Sequence, residues 1–150
     1  DGAEKLRTTG LDRVLLAQAG RKPILGTCLG MQLLFDESEE IRPSKGLGLI
    51  PGRVKRMETE YKLPHIGWNS LTFQNQSPLF RGLEAGAWVY LVHTNCGVAA
   101  GERDVIARTD YGPSVVAAVG RDGVYGCQFH PEKSGEVGLQ ILRNFGELNR

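Results

Sequence analysis

Apolar residues in the first third of the chain follow a helical spacing, then a strand-like one, then a helical one again. The residues that share one face of a first helix are Leu11, Val14, Leu15 and Ala19. Gly20 provides its C-terminal stop. A short apolar run at 24–25 predicts a buried strand, and the pattern at 31–35 predicts a second helix. The order helix, strand, helix is typical of a parallel sheet.

Further along, apolar runs bounded by turn residues predict strands at 52–57, 87–93, 105–108, 114–119 and 124–129. Asp122 and Gly123 predict a hairpin turn before the last strand. Ser77 predicts the cap of a short helix at 78–83. The charged stretch 36–40 indicates a solvated helix end, and 63–70 indicates an extended proline segment with a glycine turn.

An apolar stripe from Val137 to Leu148 predicts a final helix. We therefore expect an α/β fold of three layers, with a mixed, mostly parallel sheet and helices on both faces. The 150 residues are the length of one domain, which we assign to 1–150.

Charge and cysteine content narrow the functional classes. The net charge of +1, with acids and bases well mixed, offers no electrostatic case for binding nucleic acid or a membrane. The cysteines Cys28, Cys96 and Cys127 are too few and too scattered for a disulfide framework, so a reducing compartment, the cytoplasm, is expected. No metal-ligand spacing and no nucleotide-binding loop is present, so we expect no metal and no cofactor.

The stretch from Gly26 to Gly30 places Cys28 between a predicted strand and a predicted helix. Gly-x-Cys-x-Gly is the cysteine form of a nucleophile elbow. We expect side chains at both glycines to collide across the bend, the helix to favour the thiolate, and the Leu29 N–H to stabilise an oxyanion. The alternative is a buried, unreactive cysteine.

His130 and Glu132 end the last predicted strand, two residues apart. Residues i and i+2 of an extended chain point to the same side, and a carboxylate beside an imidazole orients the ring. Because ligands bind at the carboxyl ends of parallel strands, Cys28 and His130 are expected to meet there. His65 and His93 are competing bases, ranked lower because neither has an acid two residues further on.

These motifs carry a resemblance to a known family. The stretches 26–32 and 128–132 resemble the class I (triad) glutamine amidotransferases, and the resemblance runs from about residue 11 to 148. Within that class, the segments 64–69, 90–93 and 132–134 are similar to the glutaminases that serve imidazole glycerol phosphate synthesis in the histidine pathway.

The resemblance implies a role for each matching residue. Cys28 would attack the glutamine amide, His130 would move the proton and Glu132 would orient His130. The residues implied in substrate binding are Leu29, Gly30, Gln32, Glu40, Thr94 and Asn95. The implied partner is a (β/α)8-barrel cyclase in a heterodimer, which receives ammonia. The residues implied at that interface are Trp68, Asn69, Tyr90 and Lys133.

Two departures from the family pattern affect these expectations. Asn95 and Cys96 stand where the family usually has aromatic residues. The chain starts at Asp1 without a strand before its first helix, so we expect a fragment that lacks the family's first strand–helix–strand region and its glycine-rich oxyanion loop. The rival interpretations are an anthranilate-type or pyridoxal-type glutaminase, and a non-catalytic binding subunit. A papain-like protease does not fit the elbow glycines or the His-Pro-Glu order.

Overall fold

The structure is a computed structural model that describes residues 2–39 and 43–148. Its helices are α1 (Gly2–Thr9), α2 (Leu11–Gln18), α3 (Leu29–Leu33) and α4 (Gly135–Glu147). Its strands are β1 (Ile24–Thr27), β2 (Phe35–Ser38), β3 (Ser44–Lys45), β4 (Ile50–Arg56), β5 (His65–Ser70), β6 (Thr72–Phe73), β7 (Trp88–His93), β8 (Asn95–Ala99), β9 (Val105–Asp110), β10 (Ser114–Arg121) and β11 (Val124–Cys127). Short 3-10 helices lie at Pro78–Phe80, Glu102–Asp104 and Pro131–Lys133.

The central sheet has the strand order β1-β11-β10-β9-β6. It is mixed, as expected, but β1–β11 is its one parallel pair among the described strands, and its other pairs are antiparallel. The expectation of a mostly parallel sheet is therefore wrong for this part of the chain. The reason is connectivity, since short turns join β9, β10 and β11 and reverse the chain, whereas parallel pairing needs a long crossover.

Hydrophobic clusters cover both faces of the central sheet. Ile106 belongs to a cluster with Ile141 of α4, while its neighbour Val105 belongs to a cluster with Met31 of α3. Successive strand residues point to opposite faces, so the two clusters lie on opposite sides. The three-layer α/β architecture with a helix on each face is thus present. Each outer layer also contains strands, from the sheet β3-β2-β4-β8 on one side and the β5–β7 pair on the other.

The helix after the elbow is shorter than its apolar pattern predicts. Leu34 is its C-terminal cap and Phe35 begins β2, where a solvated helix end was expected. The N–H groups of Leu47 and Leu49 donate to the carbonyls of Leu33 and Leu34, each at 2.8 Å. Because N–H groups of the following loop donate to these carbonyls, the carbonyls cannot accept the hydrogen bonds of a longer helix.

Two local predictions elsewhere in the chain, the hairpin turn at Asp122–Gly123 and the cap at Ser77, are confirmed. Asp122 (φ 50°) and Gly123 (φ 81°) adopt the left-handed conformation of a tight hairpin. The Ser77 hydroxyl accepts a hydrogen bond from the Leu79 N–H at 3.2 Å and caps a 3-10 helix of three residues. The segment expected to hold a glycine turn is instead strand β5. Among the described residues, no helix is both long and apolar enough to cross a bilayer.

Candidate active site

Cys28 occupies the sharp turn between β1 and α3, as the sequence predicts. Its φ of 53° and ψ of −111° are strained for a residue with a side chain. Its N–H donates to the Cys127 carbonyl at 2.7 Å and extends the parallel β1–β11 pairing by one residue. A Cβ at Gly26 would lie 2.5 Å from the Gly30 carbonyl oxygen, so the turn admits only glycine there.

The second elbow glycine does not behave as expected. A Cβ at Gly30 would meet no atom within 4 Å. The predicted collision of a side chain at this position is therefore wrong. The two glycines differ because the Gly26 Cβ position faces the first turn of α3, whereas that of Gly30 faces open space.

The Cys28 thiol is half-buried, and its S–H donates to the Val92 carbonyl with a sulfur–oxygen distance of 3.8 Å. Burial raises the pKa of this thiol; the Leu29 N–H opposes the rise, Glu132 adds to it and Lys133 opposes it. The Leu29 N–H at the start of α3 favours the thiolate, as expected, but burial outweighs it, so the pKa of the thiol lies above its ordinary value.

His130 and Glu132 form the expected pair. The His130 Nδ1–H donates to Glu132 Oε1 at 2.8 Å, which leaves Nε2 as the free ring nitrogen. For the Glu132 carboxyl, burial acts to raise the pKa, but its own backbone N–H, His130 and Lys133 together hold the pKa below its ordinary value. Glu132 is therefore a carboxylate, and an anion beside the ring stabilises imidazolium.

One edge of β7 carries both halves of the candidate site. The Val92 carbonyl accepts from Cys28, and the Tyr90 carbonyl accepts from the His130 N–H at 2.9 Å. Two residues apart on a strand, these carbonyls share an edge and are separated by roughly 7 Å. Cys28 and His130 therefore lie beside neighbouring points of the same strand. Ser134 links β7 to the segment that carries His130, because its hydroxyl accepts from the Tyr90 N–H at 3.0 Å and donates to the His130 carbonyl at 2.6 Å.

Gln32 lies on α3, one turn beyond Cys28. Its Nε2 donates to the Asn95 carbonyl at 3.3 Å and to Gln128 Oε1 at 3.2 Å. No donor among the described residues reaches its Oε1. Gln128 is fully buried and its Nε2 has no hydrogen-bond partner in the described part of the chain.

The other predicted substrate residues lie close to this cluster, with one exception. Asn95 begins β8, and the Thr94 carbonyl accepts from the Met57 N–H at 3.0 Å. Leu29 follows Cys28 and is half-exposed. Glu40 lies outside the described residues.

His65 and His93 face each other at opposite positions of the β5–β7 pair, and both are buried. The distance between His65 Nδ1 and His93 Nε2 is 3.0 Å, and His93 Nδ1 lies 2.9 Å from the Asn95 carbonyl oxygen. Neither ring has a carboxylate among its described hydrogen-bond partners. The Asn95 carbonyl favours the His93 cation, but burial outweighs it and the pKa of His93 is lowered.

The opposite face of the β5–β7 pair is exposed and apolar. We call it the aromatic face, and it consists of Ile66, Trp68, Trp88 and Tyr90. Trp68 is 53% exposed and packs edge-on against Tyr90, with ring centroids 5.8 Å apart. Asn69 points to the interior, where its Nδ2 donates to the Asp110 carbonyl at 2.7 Å. Lys133 is exposed beside Glu132.

Sequence reasoning missed Gln128 and Ser134 as parts of the site. Gln128 is a polar residue in the otherwise apolar strand predicted at 124–129, directly after the end of β11, and this contrast was its one local signal. The Ser134 contact joins residues 44 positions apart, and no local pattern encodes it.

Comparisons with known proteins identify the family of this chain. The pattern of the family "Glutamine amidotransferase class-I" matches residues 7–148. The "Imidazole glycerol phosphate synthase subunit HisH" of Geobacillus thermodenitrificans is 51% identical over 152 residues, 97% of this chain and 71% of its own. The HisH subunit of Bacillus cereus strain B4264 is 50% identical over 124 residues, 83% of this chain. The match spans 59% of the Bacillus cereus protein, less than two thirds of its length.

A solved structure shows the same fold. A crystal structure titled as a glutamine amidotransferase superposes with a TM-score of 0.68 at 21% sequence identity, over 96% of this chain and 72% of its own. The family pattern covers nearly the whole chain, and two relatives share half of their aligned residues with it. The chain therefore belongs to the class-I glutamine amidotransferase family.

Proposed function

We propose that this protein hydrolyses the side-chain amide of glutamine through a cysteinyl thioester, with Cys28 as nucleophile, His130 as base and Glu132 as the residue that orients His130. The observation that carries the proposal is the pairing of a strained Cys28 with a carboxylate-bound His130 along one edge of β7. Relatives named HisH at about half identity support it.

The proposed reaction has two halves. The Cys28 sulfur attacks the amide carbon while His130 Nε2 takes the thiol proton, and the Leu29 N–H faces the developing oxyanion. The imidazolium then protonates the leaving nitrogen, and ammonia and a glutamyl thioester form. His130 next removes a proton from water, which attacks the thioester and releases glutamate and the thiol. Because burial raises the Cys28 pKa, the base must act during the attack.

Substrate binding is proposed at the polar cluster beside the elbow. Gln32 Oε1 accepts an N–H of the substrate, since both of its Nε2 hydrogens are already engaged. The backbone of Thr94 and Asn95 and the position of Gly30 are proposed to border the pocket, and Glu40 is proposed as a substrate-binding residue from the family resemblance alone. The open space at Gly30 suits a position that borders a ligand.

We expect a glutamine-like electrophile, such as a diazoketone analogue of glutamine, to label Cys28 alone. Cys127 is completely buried and Cys96 is nearly so, and burial raises the pKa of both thiols. Iodoacetamide should also react with Cys28, slowly at pH 7. Its rate should rise roughly tenfold per pH unit up to the raised pKa, because the thiolate fraction grows by that factor. Mass spectrometry of peptides at each pH provides the measurement.

The Cys28→Ser variant is the matched control and should take up neither reagent. Label on Cys127 would contradict the assignment of the nucleophile. An iodoacetamide rate that stays constant from pH 6 to 9 would show instead that Cys28 is a thiolate in the free protein.

The proposed partner is a (β/α)8-barrel cyclase that uses the ammonia to make imidazole glycerol phosphate, in a cytoplasmic heterodimer. The aromatic face supports a docking surface, since large exposed apolar patches mark interaction sites. It lies on β7, whose edge holds Cys28 and His130, so ammonia has a short path to the partner. Lys133 is proposed at its border, and Asn69 supports β5 from inside.

Trp68→Ala should weaken binding to the cyclase subunit by at least about 2 kcal/mol, because a buried tryptophan anchor commonly costs this much when truncated. Isothermal calorimetry with the purified subunit measures the change. Leu11→Ala is the control, since Leu11 is 51% exposed on α2, whose cap Ala19 packs in the cluster on the other side of the central sheet, and it should leave binding unchanged. Equal affinity of the wild type and the Trp68→Ala variant for the cyclase subunit would show that Trp68 does not contribute to the interface.

A further inference from the structure

A continuous chain of hydrogen bonds joins β5 to the candidate substrate site through the buried histidine pair. Asn69 Nδ2 lies 3.4 Å from His65 Nε2, and His65 Nδ1 lies 3.0 Å from His93 Nε2. His93 Nδ1 lies 2.9 Å from the Asn95 carbonyl oxygen. His65 and His93 are 3% and 5% exposed, so water does not compete for these ring nitrogens.

Backbone groups at both ends determine where the protons lie. The Asn95 carbonyl only accepts, so His93 carries its proton on Nδ1. At the other end, Asn69 Oδ1 accepts from the Ser70 N–H at 2.8 Å and Asn69 Nδ2 donates to the Asp110 carbonyl. These two bonds fix the orientation of the Asn69 amide, which must present a donor to His65 Nε2.

Only one protonation state satisfies the whole chain. His65 Nε2 accepts from Asn69, so the His65 proton lies on Nδ1 and is donated to His93 Nε2. A second proton on either ring would place two donors against each other. Both histidines are therefore neutral, with their protons on Nδ1.

The surroundings of the pair favour the same state. Burial, then the neighbouring His93, lower the pKa of His65 to about 4, and burial lowers the pKa of His93 although the Asn95 carbonyl opposes the change. The titratable group that packs on His65 from outside the pair is Tyr111, whose ring stacks at 3.9 Å. In the hydrogen bonds of the described residues, Asp110 contacts the chain through its backbone carbonyl.

The Asn95 carbonyl joins this chain to Gln32. It accepts from His93 Nδ1 and from Gln32 Nε2, so donors occupy both of its lone pairs. We propose that His65 and His93 are positioning residues for glutamine hydrolysis: as a neutral pair they hold the Asn95 carbonyl, which orients the Gln32 amide with Oε1 left for the substrate. This inference rests on the proposed function and adds that neither histidine exchanges a proton with the substrate.

The protonation states can be tested without any activity. In ¹⁵N-labelled protein, long-range proton–nitrogen NMR spectra should show Nδ1–H tautomers for both rings from pH 5.5 to 8. A coupling across the His65 Nδ1–H···Nε2 His93 bond should also appear. A cationic ring, or a proton on Nε2 of either ring, would overturn the inference whatever the protein's substrate.

The kinetic test separates positioning from catalysis. His93→Leu leaves the buried Asn95 carbonyl with one donor fewer, so KM for glutamine should rise about 5- to 100-fold while kcat changes less. His93→Asn retains a donor near the Nδ1 position and should restore most of the loss. Tyr111→Phe keeps the ring on His65 and is the control, because its hydroxyl bonds the Lys62 carbonyl outside the chain.

The outcomes distinguish this inference from the proposed function. A wild-type protein that hydrolyses glutamine, with an unchanged KM in folded His93→Leu, would overturn the inference alone. A loss of kcat without a rise in KM would identify His93 as a base and would also overturn it. A wild-type protein without glutaminase activity in the presence of its partner, with the expected tautomers in the NMR spectra, would overturn the proposed function.

Discussion

His130→Ala should lower kcat for glutamine hydrolysis by at least about 10⁴-fold, because a nucleophile and its base act as a unit and no other base bonded to a carboxylate lies beside Cys28 among the described residues. The high pKa of the Cys28 thiol makes the loss larger than it would be for a preformed thiolate. The measurement is glutamate release in the presence of the cyclase partner, with circular dichroism as the check of folding.

Glu132→Gln provides the graded comparison and should lose less than His130→Ala. The amide still accepts from His130 Nδ1 and orients the ring, but it no longer stabilises the imidazolium. His130→Ala that retains activity, beside an inactive His93→Ala, would show that the base has been assigned to the wrong histidine.

Gly26→Ala should both destabilise the protein and abolish its reaction with a glutamine-like electrophile. The added Cβ would lie 2.5 Å from the Gly30 carbonyl oxygen and 2.9 Å from the Met31 nitrogen, and backbone atoms cannot rotate away as a side chain can. Overpacking of this kind costs about 1–3 kcal/mol, and relief of the clash would move the turn that holds Cys28. Urea unfolding and labelling of Cys28 measure the two effects.

Gly30→Ala is the matched variant in the same motif. Its Cβ meets no atom within 4 Å, and alanine within a helix is favoured over glycine, so the free energy of unfolding should stay equal or rise slightly. Equal destabilisation by the two substitutions would contradict the asymmetry of the elbow. It would support the collision at both glycines that the sequence pattern suggests.

Short-range signals account for most of the correct predictions. The nucleophile elbow can be predicted from the sequence because a strand that turns into a helix around a nucleophile needs a glycine two residues before the nucleophile. The Asp122–Gly123 turn and the Ser77 cap can also be predicted from the sequence, since their geometry depends on two to four neighbouring residues. The His130–Glu132 contact was predicted from alternation along an extended chain; it forms instead at the start of the 3-10 helix Pro131–Lys133, which also keeps the two side chains close together.

Predictions that depended on distant contacts failed or were not made. The helix predicted through Phe35 ends before that residue because N–H groups of the loop near Leu47 donate to the carbonyls that a longer helix would use. The Cys28 pKa lies above its ordinary value because packing against other strands desolvates the sulfur, which a motif of five residues does not encode. The antiparallel pairs of the central sheet follow from turn lengths that an apolar pattern leaves open.

The sequence by itself determined the α/β class, the strained position of Cys28 and the contact between His130 and Glu132, because each depends on residues close together in the chain. Only the tertiary structure decided that Cys28 and His130 lie beside one edge of β7, and that His65 and His93 form a neutral pair. The physical reason is that these relations depend on backbone carbonyls at Tyr90, Val92 and Asn95. Every residue carries the same carbonyl, so only the folded chain shows which of them accept these bonds.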